Sequence, residues 1–382
     1  MFVDFLLPPV SLIGRGAVKA VGERCNMLNV KKALIVTDPV MVSLGIVDIV
    51  KGYVKEAGLT TVLFDQAEPN PKDYNVVAGT KVFKDKKCDV IITIGGGSAH
   101  DCGKGIGIMA NHPGKPYDYA GIEMLKFNPP PVICVNTTAG TASEITRHCV
   151  LTNTELNVKF VIVSSRNLPV VSINDPELMV KKPPALTAAT GIDALVHAIE
   201  TYVTANPNPL ADMCAYRAIE IISKWLRPAV ANGENIEARE WMAYGSLMAG
   251  MAFSNAGLGY VHAMAHQLGG FFDIPHGVAN AILLPAVEEY NMISNLKRFA
   301  EVAVAMGENI DGLSDREAAC KAIAAMSQLT KDVGIPSGLR EIGVDPSSFE
   351  KMAEYALKDG NAGCNPIQGT KEDIVKLFEA AY

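Results

Sequence analysis

Five residues in the second half of the chain carry side chains that could bind a metal ion. Asp193 and His197 are four positions apart, His262 and His266 repeat that spacing, and His276 follows. On a helix, residues i and i+4 share one face, so each pair can point at one place. A carboxylate and several imidazoles that converge favour a first-row divalent metal. Four such ligands leave room for a substrate oxygen, which is typical of a catalytic site.

The elements that must position these side chains are predicted to be helices. After residue 184 the apolar residues follow helical spacing, no convincing strand is predicted, and Pro183 with Pro184 is typical of a helix start. Residues 241–272 contain no charged side chain. That length could cross a bilayer, but the glycines, Asn255 and two histidines in it favour two buried helices instead. We therefore expect His262 and His266 to lie in a dry environment.

The first half alternates apolar strands with helical stretches. Strands are predicted at 33–38, 61–64, 89–94, 131–135, 160–163 and 170–173, and helices include 40–57 and 71–86. Continuous β-branched runs separated by helices indicate a mostly parallel sheet that is covered on both faces. We predict an α/β domain with a parallel Rossmann-like sheet over residues 1–183, and an all-α helical domain over residues 184–382.

Two loops of small residues follow predicted strands. One runs from Gly95 to Ser98 before a helix predicted at 99–109, where glycines and a helix N terminus could hold a pyrophosphate. It departs from the usual Rossmann fingerprint, because His100 stands where the third glycine would be. The other loop, 136–144, has threonine hydroxyls that could bind phosphate or ribose. Either loop alone could be a turn or an N-cap, but together they favour a dinucleotide.

Asp38 ends the first clear strand. A carboxylate at that position could accept hydrogen bonds from an adenosine ribose and would repel the additional phosphate of NADP, so NAD is the expected cofactor. The alternative is a turn aspartate before Pro39.

The net charge and the cysteines limit the partners and the cellular compartment that we expect for this protein. The net charge of −7 over 382 residues argues against nucleic acid, because phosphate binding needs a basic face. Eight cysteines occur without a Cys-x-x-Cys pair, which predicts free thiols in a reducing cytoplasm. The first four residues lack the basic and apolar regions of a signal peptide, so we expect no membrane partner and a cytoplasmic protein.

With both halves in view, the chain resembles the iron-containing (group III) alcohol dehydrogenases, whose members act on small alcohols and aldehydes such as 1,3-propanediol, methanol and lactaldehyde. The resemblance runs essentially end to end. The motifs that carry it are residues 95–104, 137–144, 174–178, 190–200 and 262–277. It implies the dehydroquinate synthase-like fold, with an N-terminal NAD-binding domain, a C-terminal helical metal domain and an active site in the cleft between them.

The resemblance also implies roles for individual residues. The metal ligands would be Asp193, His197, His262 and His276, with Fe²⁺ as the metal and Zn²⁺ or another divalent metal as the alternative. The catalytic group would be Asp193, His262 and His266, with His266 close to the metal as a proton shuttle. Cofactor contacts would be Asp38, Asn70, Gly96, Gly97, Ser98, Thr137, Thr138, Thr141 and Lys159. Substrate-pocket positions would be His148, Phe253 and Cys364.

The expected reaction is reversible hydride transfer between a small primary alcohol or diol and NAD, in a homo-oligomer of between two and ten subunits. One rival is a metal- and NAD-using lyase of the dehydroquinate synthase type, although its anionic substrate would need lysines and arginines that residues 241–272 lack. A zinc enzyme of the glycerol dehydrogenase type is a second rival. A third is a module that binds metal and nucleotide mainly to assemble.

Overall fold

The computed structural model describes residues 4–156 and 158–382, which divide into two compact units. The first unit comprises Leu6–Thr138 and Ala142–Val180. The second comprises Lys181–Tyr382 with Ala139–Thr141 and, among the described residues, positions 4 and 5. Residues 1–3, on which the expectation about a signal peptide partly rests, lie outside the described residues.

The first unit holds all the strands found in the described part of the chain. They are β1 Val10–Ile13, β2 Lys32–Val36, β3 Thr60–Phe64, β4 Val90–Gly95, β5 Gly121–Ile122, β6 Val132–Asn136, β7 His148–Asn153, β8 Val158–Val163 and β9 Val171–Asn174. Six of them form a parallel sheet in the order β1-β9-β6-β4-β2-β3. A smaller sheet has the order β5-β8-β7, with β7 and β8 antiparallel.

Helices cover both faces of the parallel sheet because its strands are apolar on both sides. On β2, Ile35 packs into one buried cluster, whereas Leu34 and Val36 pack into another. This alternation follows from the two-residue period of a strand, and full burial on both faces is typical of parallel sheets. The helices of this unit are α1 Val21–Met27, α2 Pro39–Ser43, α3 Ile46–Glu56, α4 Asp73–Asp85 and α5 Gly97–Asn111.

The second unit is helical throughout, with no strand among its described residues. Its helices are α6 Pro184–Val203, α7 Pro209–Ala231, α8 Ile236–Ala256, α9 Tyr260–Phe272, α10 His276–Asn291, α11 Leu296–Ala305, α12 Asp315–Asp332, α13 Phe349–Ala356 and α14 Lys371–Ala380. Pro184 occupies the first turn of α6, where a proline costs no hydrogen bond. The uncharged stretch forms α8 and α9, joined at Gly257–Gly259, as predicted.

The observed architecture confirms the predicted fold class of a parallel α/β unit followed by a helical unit. Sequence analysis missed β1, β5 and β7, and it did not place the predicted strand 160–163 in a separate sheet. Among the described residues, no helix is both long enough and apolar enough to span a membrane.

Candidate active site

Helix α6 carries three ionisable side chains along one face. Asp193, His197 and Glu200 are spaced by four and then three residues, so they follow one another along that face, and all three are buried. Helix α9 contributes His262 and His266, and helix α10 begins at His276 with Asn280 one turn later. Three adjacent helices therefore bring polar side chains into an otherwise apolar interior.

Three of the predicted ligands come together. One ligand atom each from Asp193, His262 and His276 lies within 4.8 Å of the others. Asp193 Oδ1 is 3.8 Å from His262 Nε2 and 3.6 Å from His276 Nε2. A carboxylate oxygen and two imidazole nitrogens at this separation form a donor set suited to a divalent transition metal.

His197, the fourth predicted ligand, is not part of that group of three. Its ring lies stacked between Phe253, with centroids 4.3 Å apart, and His262, with centroids 4.5 Å apart. It is therefore next to the group, and its role as a ligand stays a prediction.

The surroundings favour the neutral imidazoles that metal binding requires. Burial lowers the pKa of His262 well below its usual value, and the neighbouring His197, His276 and His266 lower it further. Burial also lowers the pKa of His197, although Asp193 and the backbone of Gly140 act in the opposite direction. Neutral imidazoles with free lone pairs are the form that coordinates a metal.

The contacts of Asn280 show whether the ligand atoms of Asp193, His262 and His276 would fit a cation. Its side-chain nitrogen is 2.6 Å from Asp193 Oδ1, 3.2 Å from His262 Nε2 and 3.1 Å from His276 Nε2. Two N–H groups cannot serve three acceptors, and Asn280 Oδ1 is buried without a hydrogen-bond partner among the described residues. An excess of acceptors around one point is what a bound cation would relieve, so the residues fit a metal.

Two carboxylates hold the histidines of α9. Glu200 Oε2 is 2.5 Å from His262 Nδ1, and Asp359 Oδ2 is 2.7 Å from His266 Nδ1. The ring of His266 is also stacked on His276, with centroids 5.5 Å apart. Burial tends to raise the pKa of Asp359, but the His266 imidazole and the N–H groups of Asn361 outweigh it and lower that pKa.

In the first unit, the predicted cofactor loops follow neighbouring strands. β4 ends at Gly95 and β6 ends at Asn136, which pair in register, and the Thr137 N–H donates to the Gly95 carbonyl at 2.9 Å. Helix α5 begins with Gly97 and Ser98 and has no side-chain cap, so its N terminus is suited to an anion. A β-carbon on Gly96 would lie 2.8 Å from Thr138 Cγ2, so the two loops touch and the glycine is required there.

Asp38 lies at the same edge of the sheet. Its Oδ1 accepts from the N–H groups of Val40 and Met41 at 2.8 and 3.0 Å and so caps α2. Its other carboxylate oxygen, Oδ2, would be 3.5 Å from a β-carbon on Gly95. Asp38 can therefore be both a turn residue and a cofactor ligand, since one of its oxygens caps the helix and the other faces the glycine loop.

A buried lysine holds the chain that follows the threonine loop. Lys104 Nζ donates to the carbonyls of Ser143, Thr146 and His148 at 2.5, 2.9 and 2.8 Å. Burial raises the pKa of Asp101 to about 6, with Lys104 acting against it, and Ser143 donates its hydroxyl to Asp101 at 2.7 Å. This network fixes the backbone at 143–148.

The remaining predicted cofactor residues divide between two places. Asn70 and Lys159 lie near each other at the smaller sheet, because Thr152 pairs with Lys159 across the strands and its hydroxyl reaches the Asn70 carbonyl at 3.5 Å. Thr141 belongs to the segment Ala139–Thr141, which groups with the helical unit. Their contacts with a cofactor stay predictions.

The predicted pocket residues lie on different elements. Phe253 is stacked on His197 and so lies beside the metal-ligand group. Cys364 packs against the turn after α8, since a β-carbon on Gly257 would be 2.6 Å from its Sγ. His148 begins β7 and is partly exposed. Of these three, Phe253 has a described contact with a predicted metal ligand.

Sequence analysis did not assign four residues that the structure places in these networks. Glu200 follows Asp193 by seven and Asn280 follows His276 by four, so helical spacing was a usable signal for both. Lys104 stood in a motif carrying the resemblance but was given no role. Asp359 is 93 residues from His266, and no local pattern could pair them.

Known proteins match this chain over both units. The profile of the iron-containing alcohol dehydrogenases matches residues 8–176, and that of the C-terminal part of the Fe-containing alcohol dehydrogenase family matches residues 187–382. A 1,3-propanediol dehydrogenase from Klebsiella pneumoniae is 59% identical over 99% of this chain and 98% of its own. An NAD-dependent methanol dehydrogenase from Bacillus methanolicus is 46% identical over 99% of both chains.

A solved structure agrees with these matches. The crystal structure of a 1,3-propanediol oxidoreductase superposes with a TM-score of 0.99 at 59% identity and covers 100% of both chains. The resemblance drawn from the motifs is confirmed: the chain belongs to the iron-containing alcohol dehydrogenase family and is an oxidoreductase.

Proposed function

We propose that this chain is an NAD-dependent, metal-dependent dehydrogenase that interconverts a small primary alcohol or diol, 1,3-propanediol first among them, with its aldehyde. The observation that carries this proposal is the convergence of Asp193, His262 and His276 on one point occupied by an amide nitrogen. The name and identity of the Klebsiella pneumoniae relative support the diol as substrate. In this assignment residues 1–183 bind NAD and residues 184–382 bind the metal.

The proposed ligands are Asp193, His197, His262 and His276, with Fe²⁺ as the metal and Zn²⁺ as the alternative. When bound, the metal supplies Lewis-acid activation of an alcohol oxygen, and NAD accepts a hydride. The stretch 241–272, which has no charged side chain and is mostly buried, would exclude water from the reacting groups. Phe253, stacked on His197, restricts that ring and supplies an apolar surface for a small alcohol.

The proposed cofactor contacts are Asp38, Asn70, Gly96, Gly97, Ser98, Thr137, Thr138, Thr141 and Lys159. The glycine loop and the N terminus of α5 would bind the pyrophosphate, and Asp38 would select NAD over NADP by charge. The relative from Bacillus methanolicus, which is named as NAD-dependent, supports this choice.

We propose that His266 receives the proton released from the alcohol. Its Nδ1 is bonded to Asp359, which leaves Nε2 on the other side of the ring as the atom that exchanges the proton. His148 and Cys364 are proposed as further pocket positions. The eight cysteines are all free thiols, which supports a cytoplasmic location, and a homo-oligomer is proposed from the resemblance alone.

The proposal is tested on anaerobically purified protein by metal analysis together with an NAD-linked panel of alcohols from methanol to 1,3-propanediol. We expect one divalent metal per chain, net NADH formation with the diol, and loss of both metal and turnover in His262→Ala. Retained metal and normal turnover in that variant would remove the proposed site. Absence of net NADH would favour the lyase alternative, and activity that survives metal removal would favour the assembly module.

A further inference from the structure

Glu200 joins helix α6 to the first turn of helix α9. Its Oε1 accepts from the backbone N–H groups of Val261 and His262 at 2.7 and 3.4 Å, and its Oε2 is 2.5 Å from His262 Nδ1. The residue at the start of α9 is Gly259, which has no side chain to cap these N–H groups. Oε1 of Glu200 therefore acts as the cap of α9.

The backbone is shaped to admit this carboxylate. A β-carbon on Gly259 would lie 3.0 Å from Glu200 Oε1 and 2.8 Å from Asn365 Oδ1. Any larger residue would push the helix terminus away from Glu200. Both oxygens of Glu200 thus face nitrogen atoms of α9 at fixed positions, with the backbone on one side and the imidazole on the other.

This contact determines how the His262 ring is presented. With Nδ1 against Glu200, the opposite nitrogen, Nε2, faces Asn280 Nδ2 at 3.2 Å and Asp193 Oδ1 at 3.8 Å. A neutral imidazole has one N–H and one lone pair. A proton held in the Nδ1 hydrogen bond leaves the lone pair of Nε2 directed at the point where the ligands converge.

We propose that Glu200 is a positioning residue which keeps the ring proton of His262 on the Nδ1 side and thereby makes Nε2 a metal ligand. This inference rests on the proposed metal site and deepens it. Carboxylates that orient metal-binding histidines in other proteins change metal affinity by roughly 10- to 100-fold when they are replaced.

Replacing Glu200 with glutamine distinguishes this positioning role from a purely structural one. The N–H groups of Val261 and His262 are fixed donors, so the single oxygen of a glutamine at position 200 must turn toward them. Its amide N–H₂ would then face His262 Nδ1, which could only accept. The ring proton would move to Nε2, where it would block the metal, although the volume and the helix cap are retained.

Glu288 on α10 offers a matched control. It is a second fully buried carboxyl, and its side chain accepts from Asn291 at 3.4 Å. Burial raises its pKa to about 8, so it is protonated at neutral pH and glutamine resembles it closely. No hydrogen bond joins it to His262 among the described residues, so Glu288→Gln changes a buried carboxyl without changing the imidazole.

The test measures metal affinity by chelator competition, with Zn²⁺ and with anaerobic Fe²⁺, in the full-length wild type, Glu200→Gln and Glu288→Gln. NADH binding and the melting temperature of the metal-free proteins report on folding. We expect Glu200→Gln to bind metal about 10- to 100-fold more weakly, with NADH binding retained. Glu288→Gln should match the wild type. Equal metal affinity in Glu200→Gln and wild type would overturn the inference.

His262→Gln separates this inference from the function on which it rests. If His262→Gln keeps its metal, the proposed metal site fails; if it loses the metal while Glu200→Gln retains it, only the role of Glu200 fails. Should Glu200→Gln not fold, a crystal structure of the zinc-loaded wild type decides. It must show His262 Nε2 at about 2.0–2.1 Å from zinc with Nδ1 still bonded to Glu200. Zinc on Nδ1, or Glu200 turned away, overturns the inference.

Discussion

Asn280 donates its side-chain N–H to Asp193 Oδ1 at 2.6 Å and, in doing so, places its nitrogen where a metal would be bound. The same nitrogen is 3.2 and 3.1 Å from the Nε2 atoms of His262 and His276. Burial raises the pKa of Asp193, since a carboxylate in this interior needs a positive or donating partner. Without a cation, the amide nitrogen of Asn280 donates to Asp193 Oδ1, and this nitrogen cannot accept a hydrogen bond.

Asn280→Ala should therefore destabilise the metal-free protein more than the metal-loaded protein. A buried carboxylate that loses its donor costs about 1–3 kcal/mol, which corresponds to a fall of several degrees in Tm. In the metal-loaded protein the cation replaces the lost donor to Asp193, so the loss of stability should be smaller. The rise in Tm on adding metal should therefore be larger in Asn280→Ala than in the wild type. Thermal denaturation with and without a chelator measures both values.

The loaded form of the same variant serves as the control. An equal or larger loss of Tm with metal bound, or a weaker metal affinity, would mean that the amide is also needed around the ion, for instance through Oδ1. That outcome would contradict the exchange of amide for metal.

Asp38→Asn should relax the selection of NAD over NADP without disturbing the helix that Asp38 caps. Asparagine caps a helix as well as aspartate does, so the bonds to Val40 and Met41 are kept while the charge facing the glycine loop is lost. We expect the ratio of kcat/KM with NADP to that with NAD to rise at least about tenfold, or about 1.4 kcal/mol. An unchanged ratio with an unchanged Tm would exclude Asp38 from cofactor selection.

Lys104→Met should weaken NADH binding although Lys104 is not proposed to touch the cofactor. The variant leaves the carbonyls of Ser143, Thr146 and His148 without their donor, at about 1–3 kcal/mol for buried unsatisfied groups. The adjacent threonine loop should then be less ordered. Fluorescence titration of NADH and urea denaturation measure the two effects.

Lys84→Met is the matched control for this change. Lys84 also donates to a backbone carbonyl, that of Met109 at 3.0 Å, but it is exposed, so water can replace it. The NADH affinity of the Lys84→Met variant should equal that of the wild type. Equal losses in the two variants would show that the effect is not specific to the buried network.

The sequence predicted those parts of the fold and site that depend on local spacing. Helix α6 begins at Pro184, at the helix start that Pro183 and Pro184 predict, and its apolar period continues without interruption to Val203. The i and i+4 pairs of histidine and aspartate fell on common faces for the same reason. By contrast, β1 is four residues long and β5 only two, too short to show a period.

Contacts between distant segments could not be predicted from spacing. Asp359 meets His266 and Lys104 meets Ser143 only because separate elements pack together, and neither pair has a local pattern. The i and i+4 spacing and the resemblance both named His197 as a ligand; the structure places its ring between those of Phe253 and His262, and its role as a ligand stays a prediction. Spacing places side chains on one face of a helix, but it does not pair residues such as Asp359 and His266 that belong to separate elements.

The buried side chain of Lys182 should make the stability of the protein depend on pH, whether or not a metal is bound. Burial, together with the charge of Arg239, lowers its pKa from 10.5 to about 7, and Thr190 Oγ1 lies 3.4 Å from its Nζ. Between pH 7 and 10.5 the unfolded chain holds this proton and the folded protein does not. Stability therefore rises with pH through this window, by at most about 1.4 kcal/mol per pH unit, and no longer depends on this group below pH 7, where both states hold the proton.

Lys182→Met removes this proton and should flatten the dependence. The measurement is the free energy of unfolding in urea at several pH values from 6 to 10, with metal and NAD absent from both proteins. Taking the difference between wild type and variant cancels other groups that titrate in the same range, including the thiols. We expect the wild type to gain stability relative to the variant as pH rises. A constant difference would mean that Lys182 stays charged in the folded protein, held by its contact with Thr190.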